Sequence, residues 1–141
     1  LTTPVTLGTI ATAASQVANY AITATGATAS NYTITEVNGT LAVTPAALTI
    51  TAVNTNKVYG DALPTFSAHY DGFVNGDTAT SLTTPVTLGT TATAASPAGN
   101  YDITATGAVD PNYTITEVNG TLSITAASSR AIMVTVSGSC P

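Results

Sequence analysis

Tyr113-Thr114-Ile115-Thr116-Glu117-Val118-Asn119-Gly120-Thr121-Leu122-Ser123-Ile124-Thr125-Ala126 is the stretch on which the fold is decided. On either side of Asn119-Gly120, apolar residues alternate with Thr, Ser and Glu, the period-two pattern of half-buried strands. Asn-Gly is the favoured pair for the two positive-φ positions of a type I′ hairpin turn. The stretch therefore predicts a hairpin in which Val118 faces Thr121, Ile115 faces Ile124 and Tyr113 faces Ala126. One face would collect Tyr113, Ile115, Leu122, Ile124 and Ala126, with Glu117 near the turn, and the other would be almost all Thr and Ser. Asn38-Gly39 predicts the same hairpin earlier in the chain, with Ile34 opposite Val43.

That duplication extends well beyond the turn. Leu1-Thr2-Thr3-Pro4-Val5-Thr6-Leu7-Gly8-Thr9 recurs as Leu82-Thr83-Thr84-Pro85-Val86-Thr87-Leu88-Gly89-Thr90, and 35 of the 46 positions in 1–46 are identical to those in 82–127. The period of 81 residues exceeds the roughly 20 to 50 residues of a solenoid rung, so each unit reads as a small domain of its own. Three segments follow: 1–46 as the C-terminal part of a unit, 47–127 as a complete unit, and 128–141 as a tail.

Within the complete unit, further strands are expected at 48–53, 65–70, 86–94 and 101–106, with a short helical turn in 76–81. The expected fold class is all-β: an elongated tandem of small modules, β-grasp-like or sandwich-like, one complete and one partial.

Composition narrows the function classes. Charged residues make up 6% of the chain, and Lys57 and Arg130 are the only basic side chains against seven acids, for a net charge of −5. Nucleic acid is excluded as a partner because a phosphate backbone requires clustered Lys and Arg. No run approaches the roughly 18 apolar residues of a spanning helix, so no membrane insertion is expected in this segment. A hydrophobic content of 44% with six Tyr argues for folding over disorder. Leu1 to Gly8 has no basic or apolar signal region, so the segment is expected to be internal to a longer exported chain. The single Cys140 allows no disulfide within the chain.

The residues Leu48-Thr49-Ile50-Thr51-Ala52, Lys57-Val58-Tyr59-Gly60-Asp61, Pro64, Gly72-Phe73-Val74-Asn75-Gly76-Asp77-Thr78, Asn100-Tyr101, Asn112-Tyr113-Thr114-Ile115 and Asn119-Gly120-Thr121-Leu122 resemble the MBG domains of YGX type found in large bacterial surface proteins. They cover the complete unit in order, and the partial copy carries the later pieces. The resemblance implies β-grasp-like modules strung along an exported adhesin or exoprotein, with no catalysis. The tail, 128–141, departs from the pattern.

Candidate chemistry is sparse. His69 is the only histidine, has no nucleophile elbow beside it, and reads as a residue on a strand face. Asp61, Asp77 and Asp110 lack calcium-loop spacing, although their loops can converge in space. No cofactor or metal is expected. Asn31, Asn38, Asn112 and Asn119 each open an Asn-x-Thr sequon, a glycosylation site in an exported protein, while strand and turn preferences generate such triplets by chance. Repeated Thr-x-Thr forms hydroxyl arrays suited to ice or polysaccharide, which solvent-facing β-branched residues also explain.

The expected function is mechanical and extracellular: a cell-surface adhesin stalk or fibre acting as a rigid spacer, with few sites for a trypsin-like protease. Its expected partners are neighbouring repeats or subunits of the same protein. The tail around Ile132, Val134 and Val136 has the character of an opening strand. Either the array was cut at that point, or the strand is donated to the next chain in head-to-tail assembly. The alternative function is a glycan-binding module that uses a Thr- and Tyr-rich face on surface glycans.

Overall fold

The computed structural model describes residues 1–127 and is nearly all β. Its strands are β1 (Thr6–Gly8), β2 (Ala18–Thr25), β3 (Gly39–Val43), β4 (Ala46–Ala52), β5 (Thr55–Val58), β6 (Ala68–Asp71), β7 (Thr87–Thr90), β8 (Gly99–Thr106), β9 (Tyr113–Val118) and β10 (Gly120–Thr125). One 3-10 turn, Ala79–Ser81, lies where the helical turn is expected. The strand expected at 65–70 is confined to β6. The one expected at 86–94 ends at Thr90, because Thr93 N donates to Ser96 Oγ at 2.8 Å and folds the chain into a loop. The tail with Ile132, Val134 and Val136 lies outside the described residues.

Residues 1–46 form one three-stranded sheet, β1-β2-β3. Residues 46–125 form two more, β6-β4-β9 and β5-β10-β8-β7. The Asn-Gly hairpins are corrected by these pairings. β9 runs parallel to β4, placing Ile115 beside Leu48, whereas β10 runs parallel to β5, placing Ile124 beside Lys57. Neither Asn119 nor Gly120 has positive φ, and neither do Asn38 and Gly39. In the leading copy Val43 pairs with Ala18, not Ile34.

A single offset of 67 relates both parallel pairs, Ala46↔Tyr113 through Thr51↔Val118 and Thr55↔Leu122 through Val58↔Thr125. The first and last strands of the unit are thus one long parallel ribbon, bent where it leaves one sheet for the other. Strands switch sheets through bends or bulges, and here the bend reverses which side of each strand faces the core. Burial follows suit: Leu48, Ile50 and Ala52 are buried before the corner and Lys57 after it, while Tyr113 is buried before and Leu122 and Ile124 after.

Side chains replace the ladder bonds at the bend. Asn54 Oδ1 accepts from Thr121 N at 2.8 Å, and Asn119 Oδ1 accepts from Ala105 N at 3.2 Å. Sequence preference does produce an Asn-Gly turn, at a different pair. Asn75 (φ 58) and Gly76 (φ 76) are both left-handed, and Asp77 N closes onto Val74 O at 3.0 Å, as a type I′ turn requires.

The apolar face expected to gather on one ribbon is divided between two clusters. Ala52, Ala92, Ile103, Ala105, Leu122 and Ile124 form one, Leu48, Ile50, Leu82 and Tyr113 the other, and Val86 packs against both. The leading copy has the same residues without the cover. Tyr32 is 74% exposed where Tyr113 is 6%, and Leu1 is 76% exposed where Leu82 is 7%. Residues 32–37, identical in sequence to β9, are not a strand, because residues 1–46 contain no counterpart of β4 to pair with them.

Candidate functional site at the junction of the two repeats

Both copies build a cleft with a volume of about 390 Å³. Its walls are Ala13 to Val17, Val43, Thr44 and Ala46 on one side, and Val74, Asn75, Asp77, Asn112 and Tyr113 on the other. Val17 N crosses it to donate to Asn112 Oδ1 at 3.0 Å. Asn112 O accepts from Ala46 N at 3.0 Å, so this residue holds both the leading copy and the first strand of its own unit.

Beneath the cleft, burial and aromatic packing hold Tyr113. Phe73 meets its ring edge-on at 5.6 Å and stacks on Tyr70 at 5.4 Å. The Tyr113 hydroxyl donates to Asp77 Oδ2 at 2.5 Å and accepts from Val74 N at 3.2 Å. Burial, and then the bond to Asp77, push the Tyr113 hydroxyl above its usual pKa. The Asp77 carboxylate is thereby already engaged. Asp110 is also engaged, accepting from Asn112 N at 2.8 Å.

Among the described residues no three His, Cys, Asp or Glu side chains gather as metal ligands, so Asp61, Asp77 and Asp110 are not brought together. His69 is exposed on β6, paired with Thr51, and lies outside the cleft walls. Nor is any helix among these residues long and apolar enough to cross a membrane. A shallower groove of about 600 Å³ lies over β7 and β8, lined by Thr90, Asn100, Tyr101, Asp102 and Thr104.

The sequon asparagines are placed differently from one another. Asn31 is exposed, Asn38 and Asn119 accept from Ala24 N and Ala105 N at 3.2 Å, and Asn112 sits in the junction. Asn38, Gly39, Asn119 and Gly120 therefore mark sheet crossings or their remnant, and none is a hairpin turn.

Sequence reasoning missed Lys57. It is buried, and its ammonium donates to the carbonyl oxygens of Asp61 (2.9 Å), Val58 (3.3 Å) and Ala94 (3.3 Å), tying β5 to the loop before β8. The available signal was a lone Lys in an otherwise nearly cation-free chain. A buried ammonium is retained only where acceptors surround it.

The family model described as the MBG domain (YGX type) matches residues 2–42 and 48–123. No curated protein and no solved structure matches the chain. The match is consistent with a repeat of large exoproteins. The chain belongs to the MBG domain (YGX type) family.

Proposed function

We propose that the chain is a tension-bearing spacer in an exported, cell-surface protein, a stalk or fibre segment with no catalytic role. The observation that carries this reading is the constant offset of the parallel ribbon formed by 46–58 and 113–125. In a parallel pair, the start of one strand and the end of the other lie at opposite ends of the ladder. Tension entering at Ala46 and leaving at Thr125 therefore slides the two strands past each other and loads the hydrogen bonds together. An antiparallel pair pulled from adjacent ends opens one bond at a time.

Composition supports the same use. Lys57 is buried by three carbonyls, which removes one of the chain's two basic residues from a trypsin-like protease. Antibody raised to residues 47–127 should label intact, unpermeabilised cells that make the protein. Labelling confined to permeabilised cells would refute an exposed stalk.

A further inference from the structure

Only Thr44 and Pro45 separate β3 from β4, and proline fixes one of the backbone angles between the two copies. Beside this linker, loop 12–17 reaches the complete unit. Val17 N meets Asn112 Oδ1 at 3.0 Å, and Ala14 and Gln16 face Asn75, Asp77 and Tyr113 across the cleft.

Both sides are held in shape by bonds of their own. In the loop, Thr12 N donates to Ser15 Oγ at 2.7 Å, Ser15 N to Thr12 O at 3.0 Å, and the Tyr20 hydroxyl to Gln16 O at 2.9 Å. On the receiving side, the left-handed Asn75-Gly76 turn presents Asp77, and Asp110 Oδ1 fixes Asn112 N.

Loop 93–98 repeats the first arrangement bond for bond. Thr93 N donates to Ser96 Oγ at 2.8 Å, Ser96 N to Thr93 O at 3.1 Å, and the Tyr101 hydroxyl to Pro97 O at 2.8 Å. Where Val17 stands in the first loop, Ala98 stands in the second. The crossing donor is a backbone N–H, so the exchange of Val for Ala leaves it intact.

We propose that these two surfaces are the halves of a connector between consecutive units. Each unit receives the preceding unit's loop on the face made by 74–77 and 112–113, and offers its own loop 93–98 to the same face of a following unit. The partner is another copy of this repeat, and Asn112 is the positioning residue that sets the angle between them. The connector deepens the spacer reading and rests on it for its use, because a fixed angle at each step makes a string of domains a rod.

Residual dipolar couplings on the full chain test it, with Asn112→Ala removing the acceptor and Val17→Pro removing the donor from the opposite side. In the unmutated chain one alignment frame is expected to fit β2 and β3 together with β8 and β10. In either variant two frames are expected. Amide exchange at Val17 in Asn112→Ala should be roughly fivefold to tenfold faster, the equivalent of one hydrogen bond. Asn31→Ala, the same residue one repeat earlier, should change neither. One frame persisting in both variants overturns the connector and leaves a stiff spacer standing. Two frames already present in the unmutated chain overturn the connector and the rigid spacer together.

Discussion

Gly120 lies so close against Ala52 that a β-carbon on it would collide with the Ala52 carbonyl oxygen and stand 2.9 Å from the carbonyl carbon. One repeat earlier, a β-carbon on Gly39 would meet nothing nearer than Ile22 at 3.8 Å. The two glycines share their sequence surroundings and differ in whether a first strand passes beside them. Gly120→Ala is therefore expected to lower the stability of the complete unit by roughly 1–3 kcal/mol through overpacking, with Gly39→Ala close to neutral. Urea denaturation measures both. Equal losses would restore the hairpin, in which both glycines are strained alike.

Tyr113 and Tyr32 offer a second matched pair. Tyr113→Phe leaves Asp77 and Val74 without their hydroxyl partner and should cost about 1–2 kcal/mol, whereas Tyr32→Phe, at an exposed position, should cost nothing measurable.

The same tyrosine predicts a pH dependence. Its pKa is raised in the folded chain, by burial first and then by the bond to Asp77. The folded state therefore holds the proton more tightly than the unfolded state. Its contribution is complete below the unfolded value of about 10 and is lost as pH rises through the folded value. Stability measured across that alkaline window should fall more steeply in the unmutated chain than in Tyr113→Phe. Parallel curves would contradict the assignment.

Lys57→Met keeps the length of the side chain and removes its three bonds to carbonyl oxygens. The expected loss is roughly 1–3 kcal/mol, with faster amide exchange in the loop around Ala94. A gain in stability would show that desolvating the ammonium costs more than its acceptors return.

Most strands of the complete unit and their apolar sides were legible in the sequence, because period-two alternation depends only on which residues face a core, but β5, whose buried side chain is Lys57, was not. The repeat was legible as well. Partner choice was not. The turn preference of Asn119-Gly120 is local and small, whereas burying Leu48, Ile50 and Leu122 between paired strands contributes about 1.5–3 kcal/mol for each side chain. Residues 32–37 make the point without any substitution, since they repeat the sequence of β9 and, lacking β4, form no strand. The junction was hidden for a related reason. Asn112 stands out in the sequence as a sequon, but its partner Val17 is 95 positions away, and no local pattern links them.

The parallel ribbon is tested most directly by mechanical unfolding of single chains along two directions. Handles at Ala46 and Thr125 shear β4–β5 against β9–β10. Handles at Thr87 and Thr106, which face each other in β7 and β8, peel one antiparallel pair apart. At equal pulling speed, the first direction should require the clearly higher force and end in a single cooperative rupture. Equal forces, or an easier rupture between Ala46 and Thr125, would contradict a unit built to carry tension from end to end.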